Sequence, residues 1–219
     1  MRLVLLRHGE TDWNALDRYQ GRTDVPLNAL GERQAAAAAA GPVGELLRSA
    51  EDLVAVSSPL IRARRTAEIV LEDAVGAVEL AVDPRLVELG GGEWEGLDFT
   101  EIGARWPHEH HAWRTVPDLD GGPVGGEVLR AGGERVLAAA AAHVPEDWST
   151  PRPARVPDAR TLLIVAHGAV IRAAAGLALA LEGADFAHLA RVSNARAVIL
   201  DGTFAGEGPG AWSLLGYDV

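Results

Sequence analysis

Two segments of the sequence place a histidine-glycine pair directly after a short apolar run. Residues 3–6 lead into Arg7-His8-Gly9, and residues 162–166 lead into His167-Gly168. An imidazole can act as a nucleophile or as a base. The guanidinium group of an arginine is suited to phosphate or carboxylate. The sequence therefore carries groups that could bind an anion and react with it.

A third apolar run, residues 53–56, leads into Ser57-Ser58-Pro59 and then to Arg62. Runs of this kind are typical of the buried strands of a parallel sheet, and open α/β sheets bind their ligands at the carboxyl ends of such strands. We therefore expect both histidines, Arg7 and Arg62 to meet at one edge of a sheet. The pentapeptide of residues 7–11 by itself is also compatible with an ordinary strand end that carries polar side chains without a function.

Strands and helices are predicted to alternate along the chain, which favours an α/β fold. The predicted strands are residues 3–6, 53–57, 78–82, 161–166, 194–200 and 212–215. The predicted helices are a short turn at 12–17 and longer elements at 29–40, 43–49, 59–73, 98–106, 127–143 and 168–181. We expect a three-layer α/β/α sandwich with a mostly parallel central sheet and one antiparallel strand.

The length of the chain and the positions of its prolines and glycines predict the domain organisation. A chain of 219 residues suits one domain, 1–219, with a variable lid or insertion at about 97–124. Four prolines within residues 145–160 predict an exposed loop, and glycines at 206–210 predict a turn.

The net charge and the amino-acid composition exclude several kinds of partner and chemistry. The net charge of −11 disfavours nucleic acid and anionic membrane surfaces. The chain has no cysteine, so thiolate catalysis and disulfides are excluded. No signal segment and no uncharged apolar run of transmembrane length is evident, so we expect a soluble cytoplasmic protein.

The ordered set of motifs resembles the histidine phosphatase (phosphoglycerate mutase-like) superfamily over residues 2 to about 200. The matching motifs are Arg7-His8-Gly9-Glu10-Thr11 with Asn14, Gln20-Gly21, Ser58-Pro59-Leu60 with Arg62-Ala63 and Thr66-Ala67, Glu88 before Gly92 and Trp94-Glu95-Gly96, Gly125-Gly126-Glu127, and His167-Gly168. The resemblance implies a phosphoric monoester hydrolase of the histidine acid type with a phosphoglycerate mutase-like fold.

The resemblance also implies a role for each matching residue. His8 would carry the phosphoryl group, and Glu88 would act as the proton donor and then activate water. Arg7, Arg62 and His167 would surround the phosphoryl oxygens. The remaining matched residues would contact phosphate or substrate: Asn14, Gln20, Gly21 and Gly168. Gly9 and Gly168 would allow the backbone to approach phosphate closely. No metal and no cofactor is implied, because arginines supply the positive charge.

Several of these positions also admit other interpretations. Glu93 and Glu95 lie near Glu88 in sequence, and either could be the acid instead. Asn14 could simply cap a helix. Three further charged side chains are expected to face solvent, to form ion pairs or to lie outside the reacting groups: Glu10, Arg64 and Arg65.

The patch of His108, His110 and His111 lacks further ligands at metal-binding spacing, so a metal site is not favoured. Trp106 and Trp113 nearby favour a lid that shapes a substrate pocket.

A phosphatase is favoured over a mutase. Glu88 is followed by Leu89-Gly90-Gly91, where the mutases of the family have Arg-His-Tyr-Gly. Val128 departs from the serine that usually follows Gly-Gly-Glu in the phosphatases. The expected partner is a small phosphorylated metabolite, and a homodimer is left open. A cofactor-dependent phosphoglycerate mutase and a non-catalytic phosphate-binding module are the alternatives.

Overall fold

The computed structural model describes residues 1–149, 159–205 and 208–219. The strands within these residues are β1 (Arg2–Arg7), β2 (Asp52–Ser57), β3 (Leu80–Val82), β4 (Arg160–Ala166), β5 (Ala197–Ala205) and β6 (Gly208–Tyr217). The α-helices within them are α1 (Asp12–Ala15), α2 (Ala29–Ala40), α3 (Pro42–Arg48), α4 (Ile61–Ala74), α5 (Phe99–Arg105), α6 (Pro107–Thr115), α7 (Leu129–Ala142), α8 (Gly168–Ala178) and α9 (Gly183–Ala187).

The strands form one sheet in the order β3-β2-β4-β1-β5-β6. β1, β2, β3 and β4 are mutually parallel, and β5 pairs antiparallel with both β1 and β6. Among the described strands, β5 is therefore the one that runs against the rest. This confirms the predicted mixed sheet with one antiparallel strand.

Two separate hydrophobic cores lie on the two faces of the sheet. Leu3 and Leu5 of β1 belong to a core that contains buried residues of α7 and α8. Val4 and Leu6, which point to the opposite face, belong to a core that contains buried residues of α2, α3 and α4. A strand with helices on both sides is apolar at every position, which explains the continuous run in β1. The predicted three-layer arrangement is confirmed.

Several element boundaries differ from the sequence-based predictions. The helix predicted from residue 59 begins at Ile61, so Pro59 lies ahead of it and not in its first turn. β6 begins at Gly208, so most of the predicted turn at 206–210 is strand. α6 was expected only as a histidine-rich patch, because its charged and aromatic side chains show no apolar stripe. The predicted loop at 145–160 begins with a 3₁₀ turn at Glu146–Ser149, and residues 150–158 lie outside the described residues.

In the described part of the chain, no helix has the length and apolar character needed to cross a membrane.

Candidate active site

The sheet register places the two histidines side by side. β1 and β4 are parallel neighbours, with Arg7 opposite Ala166, so His8 and His167 follow adjacent strands at the same edge. Their ring centroids are 5.2 Å apart, and both side chains are buried. Residues far apart in sequence thus meet at the carboxyl ends of the parallel strands, as the sequence predicted.

The hydrogen bonding of His8 defines which ring nitrogen is available. Nδ1 lies 2.6 Å from the carbonyl oxygen of Gly9. Because a carbonyl only accepts, Nδ1 carries the proton in this bond. Burial, with Arg62 and Arg7 nearby, holds the pKa of His8 well below its usual value of 6.5. The imidazole is therefore neutral, and the lone pair lies on Nε2, which has no hydrogen-bond partner among the described residues.

His167 is held by the strand on its other side. Its Nε2 lies 2.8 Å from Oγ of Ser58, the residue that follows β2. Nδ1 of His167 is buried and has no partner within the described residues. Burial and the positive charge of Arg62 lower the pKa of His167 well below 6.5. Ser58, His167 and His8 therefore stand in a row at the ends of β2, β4 and β1.

The guanidinium groups of Arg7 and Arg62 are only partly engaged in hydrogen bonds within the protein. Arg7 donates through Nη1 to the carbonyl of Val192 at 2.6 Å. Arg62 donates to the carbonyls of Thr23 and Gly21 at 2.8 and 2.9 Å. The Nε atoms of both arginines are buried without a partner in the described residues. Burial lowers the pKa of Arg7, and that of Arg62 to about 10. Two buried N–H donors beside two neutral imidazoles suit a bound anion.

Glu88 lies at the amino terminus of α8. Its Oε2 accepts from the backbone N–H of Ala169 at 3.2 Å, and its Oε1 accepts from those of Leu89 and Val170 at 2.9 and 3.3 Å. Free N–H groups at a helix amino terminus favour a carboxylate. The contacts fix the carboxyl group beside Gly168, the first residue of the same helix.

These side chains border a cavity of about 280 Å³. Of the residues predicted to form the site, the cavity is lined by Arg7, His8, Asn14, Gln20, Gly21, Arg62, Glu88 and Gly168. His167 does not line the cavity, but its ring is in contact with the side of the site formed by His8, with the ring centroids 5.2 Å apart. The structure therefore brings together all nine residues that the sequence singled out.

A family model described as the histidine phosphatase superfamily (branch 1) matches residues 3–212 of the chain. The chain belongs to the histidine phosphatase superfamily.

Similar proteins carry phosphatase and mutase names. A glucosyl-3-phosphoglycerate phosphatase of Mycobacterium tuberculosis is 39% identical over 206 residues, which cover 93% of this chain and 86% of that protein. A probable phosphoglycerate mutase GpmB of Salmonella paratyphi A is 36% identical over 171 residues, covering 77% and 70%. The structure of a mycobacterial glucosyl-3-phosphoglycerate phosphatase with VO3 superimposes with a TM-score of 0.80 at 35% identity and covers 99% and 98% of the two chains.

The side chain of Asn14 takes part in a helix cap and also lines the cavity. Thr11 caps α1 and Asn14 completes its capping box, because Asn14 Oδ1 accepts from the backbone N–H of Thr11 at 3.2 Å. The same side chain lines the cavity and contacts Asn194, whose Nδ2 also donates to the carbonyl of His8 at 3.1 Å. Asn14 therefore takes part in the cap of α1, and its contact with phosphate or substrate stays a prediction. No motif marked Asn194 as a site residue; it reaches the site from the loop before β5.

The expected approach of the Gly9 backbone to phosphate stays a prediction, and the structure shows a packing role for this glycine. A Cβ atom on Gly9 would lie 2.4 Å from the carbonyl oxygen of Gly31 in α2, so glycine is required there for helix packing. Gly168 is different, because its Cβ would lie 3.2 Å from Nε of Arg7. Gly168 therefore leaves room for the guanidinium group of a cavity-lining arginine, and its expected contact with phosphate stays a prediction.

The alternative carboxylates and arginines lie elsewhere. Glu95 is bonded to the backbone N–H groups of Arg22 and Gly91 at 2.6 and 3.2 Å, and Glu93 is exposed; neither lines the cavity. The remaining charged side chains behave as expected. Arg64 and Arg65 form exposed ion pairs with Glu68, and Glu10 accepts from Asn28.

Aromatic and arginine side chains form another part of the cavity wall, and Trp113 is the one among them that the sequence had singled out. Tyr19, Phe99 and Trp113 line it and pack edge to face around Tyr19. Arg172 and Arg191 also line it. The other four residues lie on separate elements and carry no local motif, so only the tertiary structure identifies them.

The histidine patch lies on α6, with His108 and His111 exposed and His110 packed near Phe99. No cluster of three or more metal-binding side chains occurs in the part of the chain that the structure describes. Trp113 of the same helix reaches the cavity, whereas Trp106 packs against the small aromatic core behind it.

Proposed function

We propose that this chain is a metal-independent phosphomonoesterase of the histidine acid type, which hydrolyses a small phosphorylated metabolite through a phosphohistidine on His8. The observation that carries the proposal is the state of His8. Its Nδ1 proton is committed to the Gly9 carbonyl, so Nε2 presents its lone pair beside the unpartnered Nε atoms of Arg7 and Arg62.

The first half of the reaction forms the phosphoenzyme. Nε2 of His8 attacks phosphorus, and the bond from phosphorus to the leaving oxygen breaks. Arg7, Arg62 and His167 offset the charge on the phosphoryl oxygens. Glu88 gives a proton to the leaving oxygen, so the alcohol departs neutral.

The second half releases phosphate. The Glu88 carboxylate takes a proton from water, and the resulting hydroxide attacks phosphorus. The nitrogen–phosphorus bond then breaks, and its electron pair returns to Nε2 of His8. Asn14, Gln20, Gly21 and Gly168 line the space in which the substrate is held during both steps. We propose that residues 97–124 form the variable part that shapes substrate choice, because Phe99, Trp113 and Pro117 reach the cavity from this segment.

The names of similar proteins suggest the first natural substrate to test, glucosyl-3-phosphoglycerate. A phosphoglycerate mutase remains the alternative, since one similar protein bears that name. The second alternative is a phosphate-binding module without catalysis. A cytoplasmic location and a homodimer stay predictions.

The decisive experiment measures phosphate release from p-nitrophenyl phosphate, glucosyl-3-phosphoglycerate and a panel of metabolite phosphates. The wild type, His8→Ala and the control His108→Ala, an exposed histidine outside the cavity, are compared at acid and neutral pH. We expect release by the wild type and His108→Ala, and none by His8→Ala. Interconversion of 2- and 3-phosphoglycerate without release would establish the mutase instead. Absence of both activities would favour the binding module.

A further inference from the structure

Two arginines in the cavity wall are not used by the proposed phosphoryl chemistry. Arg172 lies on α8, and Arg191 lies on the loop between α9 and β5; both line the cavity. Neither forms an ion pair with any residue that the structure describes. Arg172 stacks over Phe186 at 4.9 Å, and its only hydrogen bond within those residues is a long one of 3.5 Å to the carbonyl of Ala187.

Arg172 is buried and its polar atoms are poorly satisfied, whereas the side chain of Arg191 is exposed. Only 8% of Arg172 is exposed, and its Nε is buried without a partner among the described residues. No hydrogen bond to Arg191 occurs in the same part of the chain, and its guanidinium carbon lies 5.9 Å from the ring centre of Phe99. A buried guanidinium donor without an acceptor costs free energy unless a bound group satisfies it.

The surrounding charges do not neutralise the pair. Partial burial, together with the nearby Arg114 and Arg172, lowers the pKa of Arg191 to about 10. Asp17 is the acidic group that acts on Arg191, and its carboxylate is bonded to Arg114 at 2.9 Å. Asp218 is bonded to Ser193, and Glu88 to backbone N–H groups. Uncompensated positive charge is therefore concentrated at the cavity, in a chain whose net charge is −11.

We propose that Arg172 and Arg191 bind a second anionic group of the substrate, a carboxylate, while the phosphoryl group lies at His8. The planar fork of a guanidinium matches a carboxylate in shape and charge. Aromatic side chains of the same cavity, Tyr19, Phe99 and Trp113, would contact the body of the molecule between its two charged ends. The site then selects phosphomonoesters that bear a carboxylate. This inference rests on the proposed function for the placement of the phosphoryl group.

The test compares ligands that differ only in the second charge. One pair is 3-phosphoglycerate and glycerol 3-phosphate, and a longer pair is 4-carboxyphenyl phosphate and 4-carbamoylphenyl phosphate. Affinities are measured by calorimetry in the His8→Ala background, which removes turnover. Arg191→Gln is added to that background, with Arg64→Gln, an exposed arginine outside the cavity, as the matched control. Arg191 is preferred to Arg172 because its exposed side chain can be replaced without opening the core.

We expect the acid of at least one pair to bind about tenfold or more tightly than its neutral partner, which corresponds to one charge-assisted contact. Arg191→Gln should remove this preference, Arg191→Lys should restore part of it, and Arg64→Gln should keep it. Equal affinity within both pairs, or a preference that survives Arg191→Gln, would overturn the second-anion site. Because these are binding measurements, that result is separate from failure of the phosphatase, which would show as no phosphate release by the wild type.

Discussion

Arg135 holds the backbone of Glu88 in place, with Nη2 donating to the Glu88 carbonyl oxygen at 3.0 Å. The same guanidinium donates to the carbonyls of Val87 and Arg85, both at 2.6 Å. Its position is fixed by a paired contact with the carboxylate of Glu127 at 2.8 Å. The Gly-Gly-Glu motif thus acts at a distance from the cavity, by anchoring the arginine that positions the loop of Glu88.

Replacing Arg135 should therefore disturb both stability and catalysis. Arg135→Met removes the donors to three carbonyl groups and leaves Glu127 without its main partner, so we expect the free energy of unfolding to fall by roughly 1–3 kcal/mol. Urea denaturation measures this. A positioning role also predicts a larger loss of kcat for alkyl phosphates than for p-nitrophenyl phosphate, because Glu88 would be misplaced. Arg130→Met, on the same helix, is the control; an equal loss for both substrates would argue against positioning.

Glu88→Gln should reveal the general acid through its dependence on the leaving group. We expect kcat for an alkyl phosphate to fall by about 10²–10⁴-fold, since an alkoxide cannot leave without a proton. Nitrophenolate leaves readily without one, so its release in a single-turnover burst should fall much less. Glu93→Gln, an exposed neighbour, should behave like the wild type. A uniform loss across leaving groups would assign Glu88 a different role.

Stability should fall as the pH is lowered below about 6.5, because of the two buried histidines. Their folded-state pKa values lie well below 6.5, so the unfolded chain binds protons first in this range. Each histidine then contributes a slope of up to about 1.4 kcal/mol per pH unit. Urea denaturation at several pH values from 7.5 to 5 should show this slope, and His8→Gln should reduce it. Asp83, with a pKa of about 2, loses its contribution only at much lower pH. An unchanged slope in His8→Gln would contradict the prediction.

Val128→Ser should stabilise the protein. Val128 is the N-cap of α7, and its side chain makes no capping bond. A serine there can accept from the free N–H groups of the first turn, which is worth about 1 kcal/mol. Chemical denaturation should detect the gain, while kcat for p-nitrophenyl phosphate stays at the wild-type value because Val128 does not line the cavity. No gain in stability would mean that the capping geometry is not reached.

Removal of divalent ions should leave activity intact, since Arg7 and Arg62 supply the positive charge at the phosphoryl group. Phosphate release is measured before and after prolonged dialysis against EDTA, with and without added Mg²⁺, Mn²⁺ or Zn²⁺. Activity that disappears on dialysis and returns with one of these ions would refute the metal-independent mechanism.

The sequence by itself determined the strands, the order of the motifs and the residues that meet at the sheet edge. Continuous apolar runs such as residues 3–6 can be read directly, because a strand buried on both faces has no polar position. His8 and His167 could then be expected at the same edge of the sheet, whereas the pairing of β1 with β4 was shown by the structure.

Only the tertiary structure decided what surrounds these residues. The free nitrogen of His8, the anchoring of Glu88 by Arg135 and the placement of Arg172 and Arg191 depend on contacts between elements far apart in the chain. Gly9 shows the same limit, since its close packing against the carbonyl of Gly31 depends on a contact with another element. Local patterns report the conformation and burial of a segment, whereas the distances between side chains on different elements are set by packing.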